Sequence, residues 1–171
     1  MFTLRAILNC DEHFGIGKKN GLLFHLPLDM AFFRKTTSHH TVALGENTLL
    51  SFPGSKPLKN RVNIVLSQDP THTYPDVINV HTFEDFKAAI KTALEKDDVY
   101  IIGGASIYRQ MLPYVQEVYL TKVAADGHAE VFFPNLDADP NFVVVSASEP
   151  QEDNGYSIRF VTYQNQNPKS L

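Results

Sequence analysis

VYIIGGASIY (99–108) runs from an apolar, β-branched stretch through the pair Gly103-Gly104 into a helical pattern. A strand that turns at glycine into a helix is half of a parallel βα unit, whose right-handed crossovers lay helices on the faces of a sheet. LGENTLL (44–50) repeats the arrangement, with Gly45 after a strand and Thr48 at the start of a short helix. Such corners let a backbone approach a phosphate and aim free N–H groups at it. The spacing is not GxGxxG, and a glycine pair at a corner also serves plain turn chemistry, so nucleotide binding and simple turning both remain open.

Outward from these corners, apolar or β-branched segments at 2–8, 41–44, 62–66, 77–80, 99–102, 115–123, 142–147 and 157–163 read as strands. Helical patterns separate the early ones. Pro27 suits a first helical turn, with Leu26, Met30 and Phe33 at helical spacing and the pattern fading near Thr37. Thr82 with Asp85 three residues on opens a second helix along Phe83, Phe86, Ile90 and Ala93, and 105–112 makes a third. The last strands lack intervening helices and read as antiparallel additions. The expected fold is α/β, a three-layer sandwich with a mostly parallel mixed sheet flanked by helices, in one domain spanning 1–171.

A net charge of −4 over 171 residues argues against a nucleic-acid backbone as the main partner. No run approaches the roughly 18 apolar residues of a membrane span. Cys10 is the only cysteine, so no intrachain disulfide forms, and the first apolar run is short and broken by Arg5, which favours the cytosol over secretion. Small molecules are the better partners.

Asp29 is the first candidate for chemistry, since helical spacing sets its carboxylate beside Leu26, Met30 and Phe33. Burial there would raise its pKa and let it exchange a proton or grip an amidine-like ligand, while an acid in a first helical turn also complements the helix dipole. Arg61 opens a strand, where it could receive a carboxylate in bidentate fashion or stand as a solvated charge. Residues 10–24 form a long glycine-containing connection of the kind that makes lids. The seven histidines lack metal-ligand spacing and no GxSxG or P-loop occurs, so no metal, covalent nucleophile or Walker site is expected.

Together GIGKKNGLLFHLPLDMAFFRKTT (15–37), LGENTLLSFPGSKPLKNRVNIVLS (44–67), IIGGASIY (101–108), YLTKV (119–123) and EVFFPN (130–135) resemble the bacterial chromosomal type of dihydrofolate reductase over nearly the whole chain. The resemblance implies a mixed eight-stranded sheet with a cleft between cofactor-binding and folate-binding portions. It implies hydride transfer from NADPH to C6 of 7,8-dihydrofolate with protonation at N5, no metal, binding of antifolate inhibitors, a monomer, and a cytoplasmic setting. Asp29 then matches the acid that binds the pterin amino group and favours protonation, Thr121 the threonine that ties it down, and Tyr108 the tyrosine near both rings. Ile7 and Ile102 match carbonyls facing the pterin, with Leu8 beside them. Phe33, Met30 and Leu58 match apolar walls, and Arg61 the arginine for the glutamate α-carboxylate.

By the same resemblance, residues 15–24 are the closing loop, with Ile16, Gly17, Asn20 and Gly21 at the cofactor and Leu22 at the tip. Gly103, Gly104 and Thr48 lie near the pyrophosphate and Ser67 near the adenosine phosphate. Asn9, Gly45, Glu46, Asn47, Leu66, Gln68, His81, Ile102, Ala105, Ser106, Ile107 and Tyr108 complete the cofactor contacts. Three departures stand out. Leu23-Phe24 replaces a usual Pro-Trp and removes an indole donor, and Asn9 replaces an alanine where it could crowd or bond the nicotinamide carboxamide. Glu46, Gln68 and His81 occupy positions where relatives carry Arg or Lys against the 2′-phosphate, so NADPH is expected with a reduced advantage over NADH. A pterin- or nucleotide-binding module without catalysis, and a reductase of another pterin or a flavin precursor, are the competing expectations.

Overall fold

The computed structural model describes residues 2–19 and 21–171. The expectation for Asn20 lies outside the described residues. In chain order the elements are β1 (Leu4–Cys10), β2 (Gly15–Gly17), α1 (Pro27–Thr37), β3 (Thr41–Gly45), α2 (Glu46–Ser51), a 3-10 turn (Pro53–Ser55), β4 (Val62–Leu66), β5 (Ile78–Val80), α3 (Phe83–Ala93), β6 (Val99–Ile101), α4 (Ala105–Met111), β7 (Glu117–Val123), β8 (Val131–Phe132), a second 3-10 turn (Leu136–Ala138), β9 (Phe142–Ala147), β10 (Gln151–Asp153) and β11 (Tyr156–Asn165).

The main sheet runs β10-β11-β7-β1-β6-β3-β4-β5. Every pairing from β7 to β5 is parallel, and β11 returns antiparallel beside β7. Among the described residues the sheet therefore has the expected eight positions, filled by nine strands. β9 pairs the second half of β11 and β10 its first three residues, so the outer position is one strand broken at Glu149-Pro150, where proline has no N–H to give the ladder. At the break, Ser148 N–H donates to the Phe160 carbonyl at 2.9 Å, and Phe160 N–H donates to Ser148 Oγ at 2.9 Å.

The central strands read as continuous apolar runs because helices cover both faces. Ala43, Ile64, Ile101, Leu120, Phe86, Ile90 and Met111 pack on one side with α3 and α4. Val42, Leu44, Val65, Tyr100 and Ile102 pack on the other with Leu49 of α2 and Phe32 and Phe33 of α1. α1 keeps the expected bounds, and Thr82 caps α3 by accepting from the Asp85 N–H at 3.0 Å. β7 begins two residues later than expected because Val115 still donates back to Met111. α2 begins at Glu46, ahead of the expected Thr48. The short strands β2, β8 and β10 were not legible, since two or three residues carry no periodicity. Among the described residues no helix is long and apolar enough to cross a membrane.

Candidate active site

Asp29 lies in the first turn of α1 and is only 8% exposed, although its neighbours Leu28 and Met30 are 41% and 46% exposed. Its Oδ1 accepts from Thr121 Oγ1 on β7 at 2.6 Å, and its Oδ2 from Asn9 Nδ2 on β1 at 3.1 Å. Burial raises its pKa, the Thr121 and Asn9 hydrogen bonds oppose the rise, and the nearby Asp153 charge adds to it. The carboxyl group thus holds its proton further toward neutrality than an exposed aspartate. Asn9, expected near the nicotinamide, has its amide on this carboxylate.

Asp153 itself was missed. It is 5% exposed at the end of β10, and its two oxygens accept from the N–H groups of Leu28 at 3.1 Å and Asp29 at 3.0 Å. Leu26 at the N-cap offers no side-chain cap, so a residue 124 positions away from Asp29 supplies it. The pairing depends on tertiary structure alone.

Tyr108 is buried, and its hydroxyl donates to the Ile7 carbonyl at 3.0 Å. Burial, with the Asp29 charge, pushes its pKa up, so it remains a neutral donor. The ring closes over Gly103, where φ is +113° and a Cβ would stand 3.1 Å from the ring, so a glycine is required. The Gly103–Gly104 peptide is cis. The Gly103 carbonyl accepts from Gly45 N–H at 2.8 Å, which joins the two strand-to-helix corners into one floor. Neither α2 nor α4 has a side-chain cap. Ile102, Ile107 and Leu66 are buried beneath, Thr48, Ala105 and Gly104 half-buried, and Asn47 and Ser106 exposed.

β2 pairs with β8, and Lys19 N–H donates to Glu130 Oε1 at 2.8 Å while Glu130 N–H donates to the Gly17 carbonyl at 2.9 Å. The base of the expected lid is thereby fastened, Ile16 and Gly17 are half-buried, and Gly21 and Leu22 are exposed, Leu22 by 72%. Asp11 holds the preceding turn: it accepts from His13 N–H at 2.9 Å, Gly15 N–H at 2.7 Å and Gly127 N–H at 3.0 Å. Phe24 is buried edge-on against Tyr156 at 4.8 Å, and like the leucine before it has no donor.

Arg61 is no free strand-end charge. Its Nε donates to Thr37 Oγ1 at 2.9 Å and its Nη1 to the Lys59 carbonyl at 3.1 Å, with the guanidinium 6.0 Å from the Phe33 ring centre. Burial and the neighbouring Arg34 charge lower its pKa. Asn63 shapes the turn by accepting from Leu58 N–H at 3.1 Å and donating to the Leu58 carbonyl at 3.0 Å. Leu58 and Phe33 are half-buried on the same side of the sheet as Ile7 and Ile102, whereas Leu8, expected beside them, packs on the opposite face because successive strand residues alternate.

At the ends of β4 and β5, Ser67 is buried, Gln68 exposed, and His81 Nδ1 lies 2.9 Å from the Ser67 carbonyl. Cys10 is buried, its thiol pushed up to about 12 mainly by burial, which leaves it a poor nucleophile. Among the described residues one group has metal-ligand types in reach of each other, the exposed Glu12, His13 and Asp126, which folding gathers from distant positions. A groove of about 390 Å³ behind α1, lined by Phe32, Tyr100, Tyr119 and Phe160, shares Thr121 with the site and includes neither Asp29 nor Tyr108.

The sequence matches the dihydrofolate reductase family model over residues 3–165. It is 32% identical to the dihydrofolate reductase of Bacillus subtilis over 154 residues, covering 89% of this chain and 88% of that one. It is 33% identical to that of Haemophilus influenzae over 147 residues, covering 85% and 88%. The structure is similar to a dihydrofolate reductase from Enterococcus faecalis complexed with NADP(H) and RAB-propyl, with a TM-score of 0.83, 31% identity, and coverage of 96% of this chain and 97% of that one.

Proposed function

The chain belongs to the dihydrofolate reductase family, and from that premise we propose that it acts as one unit over 1–171 to reduce 7,8-dihydrofolate to tetrahydrofolate with NADPH. The observation that carries this is the buried Asp29 carboxyl, held by Thr121 and Asn9 beside the Tyr108–Ile7 pair.

The residues present fit a dinucleotide. The Gly45 and Gly103 corners bring backbone close together, a Cβ on Gly45 would stand 3.0 Å from Ile107, and the two adjoining helices start uncapped at the carboxyl ends of parallel strands. Open α/β sheets bind nucleotides at such ends. Gly103, Gly104, Ala105 and Thr48 would hold the phosphates, and the bound reduced nicotinamide supplies the hydride.

Asp29 binds the amino and N3 side of the pterin, and its raised proton affinity suits donation toward N5 by way of water. Thr121 donates to Asp29 Oδ1, which orients the other oxygen toward the ligand. Tyr108 uses its hydroxyl to fix the Ile7 carbonyl within β1, just past the last residue paired with β6, leaving that oxygen a second lone pair for a ligand amino group. Phe33, Met30 and Leu58 flank the rings, and Arg61 with Arg34 receives the carboxylate tail. Leu22 and the loop above β2 exclude water when closed.

The test is the rate of nicotinamide oxidation when purified protein meets dihydrofolate and NADPH. Turnover is expected, with Asp29→Asn lowering it by one or more orders of magnitude at neutral pH and less in acid, where solvent can protonate the substrate. Folded protein without turnover, or an Asp29→Asn profile matching the parent's, would remove the assignment.

A further inference from the structure

The ends of β3, β4 and β5 carry a polar cluster with no role in the steps above. Glu46 Oε2 is held from two sides, by the Tyr74 hydroxyl, which donates to it, and by His72 Nδ1 at 2.8 Å. His72 Nε2 lies 3.3 Å from Asp69 Oδ2, so one imidazole spans two carboxylates. Tyr74 is itself anchored: its N–H donates to Asn79 Oδ1 and its carbonyl accepts from Asn79 Nδ2, both at 2.9 Å. The Tyr74 hydroxyl, with smaller help from Ser67 and His72, holds the Glu46 carboxyl below its usual range. Its side chain is only 20% exposed, so this is a carboxylate in a fixed place and not one that swings into solvent.

The sheet order decides what that place is for. Thr121 on β7 and Asn9 on β1 set the reacting end, and the Gly103 and Gly45 corners at β6 and β3 come next. A dinucleotide laid from one across the other has its adenosine end over β3, β4 and β5, beside Glu46, Ser67 and His81. A carboxylate at a strand end accepts a hydrogen bond from a ribose 2′-hydroxyl, whereas a 2′-phosphate calls for an arginine. Here a phosphate would face the carboxylates of Glu46 and Asp69.

We propose that Glu46, fixed by Tyr74 and His72, reads the 2′ position of the adenosine ribose and opens this site to NADH as well as NADPH. The inference rests on the proposed function and sharpens its cofactor.

The test is calorimetric titration of the full chain with NADP⁺ and with NAD⁺, which needs no turnover. Dissociation constants within about tenfold of each other are expected, with Glu46→Gln shifting the ratio toward NADP⁺ by about tenfold or more, and Tyr74→Phe shifting it the same way by less. Tyr74→Phe carries the test alone if Glu46→Gln does not fold. An unshifted ratio in folded variants, or a parent that prefers NADP⁺ by about a hundredfold or more, would overturn the role of Glu46 while leaving the reductase assignment intact. Binding of neither dinucleotide would overturn both.

Discussion

At Asp29 opposing influences meet on one carboxyl group. Burial and Asp153 raise its proton affinity, and the hydrogen bonds from Thr121 and Asn9 lower it. Asn9 Nδ2 donates to Oδ2, where it competes with a ligand amino group. Asn9→Ala removes a bond made to the ionised form, so Asp29 should titrate at higher pH and the alkaline fall of kcat/KM should move upward. A profile displaced toward acid, or one unmoved, would show that the amide has no hold on the proton. The Asp29 position was legible from helical spacing, but its partners were not, because Asn9 and Thr121 are separated by 112 positions and meet only through the register that pairs them directly across β1 and β7.

At the scale of the element, α1 has a proline at its start and fades at Thr37, both readable in sequence, yet it lacks a cap of its own. Asp153 closes that end from the hairpin β10–β11, completing a link from a distant strand to the helix that carries the acid. Asp153→Ala should cost about 1–2 kcal/mol of stability, measured by urea unfolding at neutral pH. It also removes the like charge near Asp29, so the same variant should move the pH profile toward acid, opposite in sign to Asn9→Ala. Loss of stability with no movement of the profile would confine Asp153 to capping. The turn at Leu58–Arg61 follows the same logic, with Asn63 bonding back across it and Arg61 pinned to Thr37 at the far end of α1.

Across the whole molecule, Asp11 is the joint between the turn before the lid and the loop after β7. Burial would raise its pKa, but the backbone N–H groups of Gly127, Gly15 and His13 together hold it down. A depressed carboxyl contributes stability above its unfolded value and loses it as pH falls through the folded one. Asp11→Asn should therefore cost about 1–3 kcal/mol at neutral pH, with the gap to the parent closing in acid, as denaturant midpoints at about pH 7 and about pH 3 would reveal. An equal gap at both would mean that the charge plays no part. Gly15 lies against this joint with no space for a side chain, since a Cβ would stand 2.4 Å from Ala129 Cβ. That close approach was unreadable, because glycine in a loop looks the same whether it turns or merely fits.

The order of strands and helices, the two glycine corners and the candidate acid were determined by the sequence itself, because periodicity, punctuation and local spacing act over a few residues. Motif resemblance extended that reading to the family. Only the tertiary structure decided that nine strands fill eight positions, that Asp153 caps a helix far from it in the chain, that Asn9 turns to the acid, and that Tyr74 and His72 immobilise Glu46. These pairings are long-range, and each needs a short polar contact whose partner is selected by strand register and loop path, neither of which leaves a periodic mark on the chain.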